Sequence, residues 1–445
     1  MAELTNNDKD ISGDLLAFAQ QLVRIQSYSG QEEAVARAIA AKMEALGYDE
    51  VRIDACGSVL GRVGSGPVSL MFESHTDTVA VNDPAQWAYP PFSGEIVDGV
   101  IWGRGTLDCK SQMIGVMEAV ENLLEKGFQP ERDIFMAFGQ DEEVGGLRGQ
   151  KWLAAHFKEL GMQFAAVIDE GGALMSNMLP GVKEPVALVG NCEKGYLTLA
   201  IKALGSGGHS SMPPRKTAIG QLSKGITRLV NNPVPSDIQR IVPLFQGVGE
   251  KLPFFYRMVF ANTWFFRSYL LRKLEDNPKM AAIIRTTTAP TIIHGGVKDN
   301  ILPSEVTAWV NFRLAPGDSI EHVVEYVKYL VRDLDLEVSI AGDHPGEASP
   351  VSPVTTPAFT RLRTCIQQAF GDVAIAPFTM MGATDARYYA ELSENVYRFA
   401  PVRMQEGQMD SVHNINEHIS VAQFTEMVQF FGLLVESWSK ASWVE

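Results

Sequence analysis

Residues 133–146 read DIFMAFGQDEEVGG, an apolar run of strand character that ends on three consecutive carboxylates, Asp141, Glu142 and Glu143. Like charges packed at a strand end are tolerated best when a cation sits among them or one of them keeps its proton. A solvated turn is the plain alternative, since acidic clusters after strands are common. The choice turns on whether the rest of the chain brings ligands to the same place.

Working outward, the pattern recurs. VSLMFESHTDT begins as a short buried strand and runs into His75 and Asp77, and FAAVI runs into Asp169 and Glu170. Helical periodicity marks LLAFAQQLVRI, EEAVARAIAAKMEALG and QMIGVMEAVENLLEKG, the last with Met113, Met117, Val120 and Leu124 on one face. Ser29 and Glu32 have capping-box spacing before the second helix, and Gly47 can stop it. Strands alternating with helices predict an α/β fold with a mostly parallel sheet covered on both faces. Ligands in such sheets collect beyond the carboxyl ends of the strands, so His75, the triple acid and Asp169 are expected along one edge.

From about residue 187 the pattern changes. YLTLAIKAL, TAIGQLSKGITRLVNN, APTIIHGG, SEVTAWVNFRLAPG, SIEHVVEYVKYLVRDL and LEVSIAG follow in the order βαββαβ, a ferredoxin-like sandwich. HPGEASPVSPVTTP then reads as a linker, and AFTRLRTCIQQAFG as a helix returning to the first unit. The expected organisation is one α/β domain, 1–186 and 345–445, interrupted by a smaller domain at 187–344. Within the latter, at about 233–285, lies an aromatic stretch carrying Phe245, Phe254, Phe255, Tyr256, Phe260, Trp264, Phe265, Phe266 and Tyr269, interleaved with Arg257, Arg267 and Arg272. Helices packing on the domain or on a partner subunit account for it, as does a wall for an apolar substrate group.

Composition narrows the class. The chain has 445 residues, 46% of them hydrophobic, and suits two domains or one large domain with an insertion. A net charge of -15 argues against a nucleic-acid or anionic-membrane surface as partner, since neither is bound by an acidic field. No leader pattern and no charge-free stretch of membrane-spanning length is read, and Cys56, Cys109, Cys192 and Cys365 are scattered, with no CxxC pair. A soluble cytoplasmic protein in a reducing compartment is the expectation.

Of eight histidines, His75 and His413 stand out, the first one residue away from Asp77 after a strand, the second in SVHNINEHI. Imidazole and carboxylate together suit divalent metals, and a two-ion site needs roughly five or six N/O ligands drawn from several loops. His75, Asp108, Glu143, Asp169 and His413 supply five. A serine-hydrolase reading fails for want of a GxSxG elbow, and the dinucleotide fingerprint is absent because GRG in IWGRGTLD lacks the third glycine.

SHTDT, GRGTLDCKS, DEEVGG, VIDEGG, GSGGHSS and SVHNINEHI, in this order and spacing, resemble the dinuclear-zinc family of aminoacylases, glutamate carboxypeptidases, Gly-Xaa carboxypeptidases and succinyl-diaminopimelate desuccinylases. The resemblance implies two divalent ions per subunit, zinc before cobalt or manganese, on a zinc-peptidase-like α/β fold. Asp108 would bridge them, with His75 and Asp169 completing one sphere and Glu143 and His413 the other. Asp77 would orient His75, and Glu142 would take a proton from the metal-bridged water and hand it to the leaving amine. Asp141 is read as turn. His209 in GSGGHSS would stabilise the oxyanion from a partner subunit, making a homodimer through the inserted domain a condition of catalysis.

Asn300 in KDNILPSE and Arg313 in VNFRLAPG match positions that hold the substrate's carboxylate end, and a planar guanidinium suits that group. Arg387 in GATDAR is a second candidate, with a structural salt bridge as its alternative, and the loop from Gly382 through Thr384 to Asp385 is a further candidate for substrate contact. Ser74 and Cys109 depart from the commoner glycine and acid. A cis peptide is expected at the Cys109 step, and a thiol so close to the metals suggests sensitivity to oxidation. The segment NPKMAAIIRTTTAPTIIHGGVKDNILP and the aromatic stretch look most like the Gly-Xaa carboxypeptidase and N-fatty-acyl-amino-acid hydrolase branch. That implies hydrolysis of N-acyl amino acids with an apolar acyl group. A dipeptidase or carboxypeptidase on small peptides is the alternative within enzymology, and a non-catalytic binding protein of the same fold the alternative outside it.

Overall fold

The computed structural model describes residues 13–66, 69–177 and 182–440, so the opening residues read above for a leader lie outside the described part. The larger sheet runs in the order Glu50–Ile53, Val59–Val63, Asp133–Gly139, Ser69–His75, Phe164–Asp169, Val396–Arg398, Val186–Glu193 and Ala374–Met380. Its centre is parallel: Ser69–His75 pairs in parallel with both Asp133–Gly139 and Phe164–Asp169, and the latter with Val396–Arg398. All seven residues of Ser69–His75 are buried, as a strand covered on both faces must be. Helices Gly13–Arg24, Glu33–Ala45, Lys110–Glu125, Pro357–Phe370 and Val421–Trp438 pack their apolar faces into the main core.

The second sheet is antiparallel, in the order Thr287–Gly295, Glu305–Leu314, Gly195–Leu204 and Leu336–Gly346. With helices Ala218–Asn231 and Ile320–Val331 it has the βαββαβ sequence of elements, and the fourth strand lies beside the first. The expected break at 187 falls inside Val186–Glu193, a fully buried strand of the larger sheet. The chain changes sheet at Lys194, between that strand and Gly195–Leu204. Lys194 is itself buried and donates to the carbonyls of Ala282 and Arg285 at 2.7 and 2.8 Å.

The aromatic stretch forms short helices, Val242–Gly247, Phe254–Ala261, Thr263–Glu275 and Pro278–Ile284. Ile238, Leu244, Phe245, Val259, Leu270 and Leu274 form a core with Val186, Leu188, Ala374 and Ala376, so the insertion packs on the edge of the larger sheet. Its opposite side is exposed. The expected capping box at Ser29 is also absent: helix Glu33–Ala45 has no side-chain cap, and the Ser29 hydroxyl donates instead to Asp77 at 2.6 Å. Gly47 does follow the helix end, at φ +77°.

Candidate metal centre

Three parallel strands end on the acids and the imidazole that matter. His75 closes Ser69–His75, the turn Glu142–Val144 follows Asp133–Gly139, and Glu170 follows Phe164–Asp169. One buried carboxylate ties the first two together. Asp77, fully buried, accepts from the main-chain N–H of Glu142 at 3.1 Å and of Glu143 at 3.2 Å, as well as from Ser29. His75 Nδ1 lies 2.9 Å from the Asp77 main-chain oxygen and 3.3 Å from its Oδ1, so Asp77 orients the ring through both groups. Burial works against the Asp77 charge, but the bonds from His75, Ser29 and the main chain hold its carboxyl below the usual range.

Nε2 of His75 then faces Asp108. The two oxygens of Asp108 are divided between two imidazoles: Oδ1 is 3.0 Å from His75 Nε2 and Oδ2 is 2.8 Å from His413 Nε2. Glu143 Oε2 is 3.1 Å from the same His413 nitrogen, while buried Glu143 Oε1 has no hydrogen-bond partner. His413 reaches the site from a turn at φ +58°. The donor atoms form two groups of metal-binding dimensions, His75 with Asp108, Cys109 and Glu170, and Asp108 with Glu143 and His413. A carboxylate common to both groups, two imidazoles and an orphaned carboxylate oxygen fit a pair of divalent cations.

Asp169 is not in either group. Its Oδ1 accepts from the Glu170 N–H at 2.7 Å and its Oδ2 from the Ala386 N–H at 3.0 Å, so each oxygen is engaged by a main-chain donor. Glu170 takes its place, with Oε1 3.5 Å from His75 Nε2. The expected ligand is therefore corrected by one residue: Asp169 ends the strand and braces the segment Asp385–Tyr389, and the side chain beyond it reaches the cluster. Gly172 explains part of the motif, because a Cβ there would lie 1.9 Å from the Leu188 carbonyl oxygen.

Glu417 escaped the sequence reading. It is fully buried, pairs with Arg104 at 2.6 Å, and accepts the N–H groups of Gly105, Leu107 and Asp108 at 3.1, 2.7 and 3.0 Å. It thus cages the loop that presents Asp108. The peptide bond from Asp108 to Cys109 is cis, as expected. The Cys109 thiol is buried against the Ser74 hydroxyl at 2.7 Å, and burial pushes its pKa well up. That burial restricts the access of oxidants to the thiol.

Glu142 lies beside the cluster and outside both donor groups. Burial raises its carboxyl well above the usual range; His75 pulls it down, while Glu170, Asp385 and Asp108 push it further up. Asp141 is turn, as read: its carboxylate accepts from the N–H groups of Arg148 and Gly149 at 3.0 and 2.9 Å. Asp385 presses on the same turn so closely that a Cβ at Gly146 would sit 1.8 Å from its Oδ1. The guanidinium of Arg387 lies 5.0 Å from the Tyr388 ring centroid. Burial opposes its charge, but Tyr388, Glu193, Asp385 and Glu142 raise its pKa, which puts Arg387 within electrostatic reach of the cluster. No ion pair holds it among the described residues, against the salt-bridge alternative.

Other expected contacts fall elsewhere. Thr384 is buried, and its N–H and hydroxyl both donate to Glu193, at 2.8 and 3.0 Å, with Arg398 on the same carboxylate. Its polar groups are taken up inside the protein, so Thr384 is corrected from substrate contact to structural brace. Gly382 is exposed in the loop before it. His209 and Asn300 meet in the small ribbon where Gly208–His209 pairs with Ile301–Leu302, and the Asn300 carbonyl accepts from the Ser210 N–H at 3.1 Å. His209 is exposed, with Nδ1 2.8 Å from the Ser211 hydroxyl. Arg313 lies on the smaller sheet, 4.8 Å from the centroid of Tyr196. Among the described contacts, none joins His209, Asn300 or Arg313 to the His75 and His413 cluster.

Comparison with known proteins agrees with this geometry. Residues 71–437 match the family described as Peptidase family M20/M25/M40. The chain is 37% identical over 374 residues to a probable carboxypeptidase S-like 2 of Dictyostelium discoideum, spanning 83% of this chain and 72% of that one. It is 36% identical to the human N-fatty-acyl-amino acid synthase/hydrolase PM20D1, over 83% of this chain and 74% of the relative. Among solved structures, an M20 family metallo-carboxypeptidase from Sulfolobus solfataricus superposes with a TM-score of 0.69 at 17% identity, covering 96% of this chain and 100% of the other. A dinuclear metal binding peptidase from Bacillus subtilis superposes at 0.58 with 13% identity, covering 95% and 96%. The chain belongs to the M20 family of metallopeptidases, and it is a metal-dependent hydrolase of amide bonds.

Proposed function

We propose that the chain hydrolyses the amide bond of N-acyl amino acids with an apolar acyl group, releasing the free amino acid. One observation carries the chemistry: Asp108 divides its two oxygens between His75 and His413, while Glu142 stands beside them outside both donor groups. His75, Asp108, Glu170, Glu143 and His413 are the residues that would hold two divalent ions, with zinc as the expected metal and cobalt or manganese able to serve. Such a pair, when bound, polarises the scissile carbonyl and lowers the pKa of water. Glu142 then takes the proton of the attacking water and delivers it to the departing amine. Two cations nearby would pull its raised pKa down and favour the carboxylate that accepts the proton.

The substrate class rests on the relatives. Those named as fatty-acyl amino acid hydrolases and those named as carboxypeptidases are about equally similar to this chain, so small peptides are the second reading. Arg387, beside Glu142, is favoured here for the substrate carboxylate, with Asn300 serving from the two-stranded ribbon and Arg313 from the smaller sheet. His209 is exposed on the ribbon with no described contact to the cluster, which supports its acting in a second copy's site, in a homodimer formed through the inserted domain, 187–344 from the sequence and Gly195–Gly346 by strand pairing. Four free cysteines support a reducing, cytoplasmic setting.

Turnover of an N-lauroyl amino acid and of a Gly-Xaa dipeptide, each with zinc and with cobalt, separates the two substrate readings; a large preference for the dipeptide sinks the acyl one. Glu142→Ala is expected to keep its metal and lose turnover. Unchanged turnover in that variant would remove Glu142 from the mechanism.

A further inference from the structure

The aromatic insertion presents a surface that the hydrolytic site does not use. Between residues 254 and 274 the chain carries Arg257, Arg267, Arg272 and Lys273 and no acidic residue before Glu275 at the helix end, although its overall charge is -15. Helices Phe254–Ala261 and Thr263–Glu275 bury Val259, Leu270 and Leu274 against the body. Their outer side leaves Phe254 at 78%, Phe255 at 56%, Trp264 at 79% and Phe265 at 68% exposure. Arg257, Arg267, Arg272 and Lys273 are exposed on the same two helices, and no ion pair is formed by them among the described residues.

We infer that this face docks on an anionic lipid bilayer. Large exposed aromatics interleaved with cations are the composition of a helix that lies in the membrane interface, rings at the headgroup boundary and cations on anionic lipid phosphates and carboxylates. Neither helix, at 8 and 13 residues, can cross a bilayer, so the contact is peripheral. Local charge decides against the expectation drawn from net charge, because attraction to a surface falls off within about a Debye length, ~8–10 Å, and is set by the groups that face it. A two-fold contact through this face would bring the cations of both copies into one interface with few acids to answer them, which disfavours self-pairing. The inference stands on the surface alone and holds whichever substrate the site takes.

Flotation of the full chain with vesicles of phosphatidylcholine, alone or with about 30% phosphatidylserine, tests it at low and high salt. Binding is expected to the anionic vesicles only, and to weaken as salt rises. The pairs W264S/F265S and R267E/R272E should each weaken it by roughly tenfold or more, without moving the thermal midpoint, because all four side chains are exposed. Equal binding to neutral vesicles, or undiminished binding by both variants, would overturn the inference. So would a wild-type dimer that W264S/F265S dissociates while no vesicle is bound, an outcome that gives the face to a second copy.

Discussion

The adjacent acids Asp169 and Glu170 offer the sharpest test, since spacing names the first as ligand and geometry the second. Glu170→Gln removes a charged donor from the group that contains His75, Asp108 and Cys109, whose donor atoms all lie within 4.8 Å of one another. Disturbing groups that merely orient a ligand already lowers metal affinity about 10–100-fold. Loss of the ligand itself should therefore lower it by roughly 100-fold or more, about 2.7 kcal/mol. Asp169→Asn acts differently. Both Asp169 oxygens accept buried main-chain N–H groups, and an amide can satisfy one while setting its own NH2 against the other. The expected result is a stability loss of about 1–3 kcal/mol, the cost of a buried donor left unpaired, with both ions retained at saturating metal. Metal content after desalting, chelator competition and a thermal melt read the two effects separately. If Glu170→Gln held two equivalents at wild-type affinity while Asp169→Asn lost one, the geometric assignment would fail and the spacing-based one would return.

Three further outcomes are expected. In the metal-free protein His413 is raised to about 10 by its bonds to Asp108 and Glu143, and Glu170 to about 8 by burial and Asp108; His75, pulled down by burial, is raised well above its usual value by Cys109, Glu170, Asp108 and Asp77. His413 and Glu170 hold protons at pH 7 and must release them to ligate, so metal uptake should expel about two protons and tighten with rising pH; calorimetry in buffers of different ionisation enthalpy that finds no release would refute this. Glu417→Gln leaves Arg104 without its buried counter-charge, for a stability loss of about 3–5 kcal/mol, and should lower turnover by loosening Asp108; an unchanged melt would deny Glu417 its caging role. If His209 serves the partner's site, mixing His209→Ala with Glu142→Ala subunits should restore up to about a quarter of wild-type turnover, and none if each subunit works alone.

What the sequence showed and what it hid divide along a physical line. His75, Asp108, Glu142, Glu143 and His413 were legible because each stands at the end of a strand or in a short motif, where local pattern alone aims a side chain at the sheet edge. Three other polar residues were misread because their partners are remote. Ser29 has the spacing of a helix cap, yet its hydroxyl goes to Asp77, 48 residues on. Thr384 looked like a loop contact, but Glu193, 191 residues earlier, takes both its donors. Asp169 is claimed by the N–H of Ala386, 217 residues away. Glu417 left almost no trace, since three of its four bonds come from main-chain N–H groups that any residue type supplies.

The acids in DEEVGG show how the two levels join. Asp77, itself buried and held by Ser29, accepts both N–H groups of Glu142 and Glu143 while it orients His75. A single carboxylate therefore fixes the main chain that carries the proposed ligand Glu143 and the proposed base Glu142, and with it the ring of His75. Neighbouring side chains can take different roles because the main chain between them is pinned, and the proposed function divides the like charge that made the stretch conspicuous in that way: Glu143 to a cation and Glu142 to the water, while Asp141 is held in the turn by the N–H groups of Arg148 and Gly149.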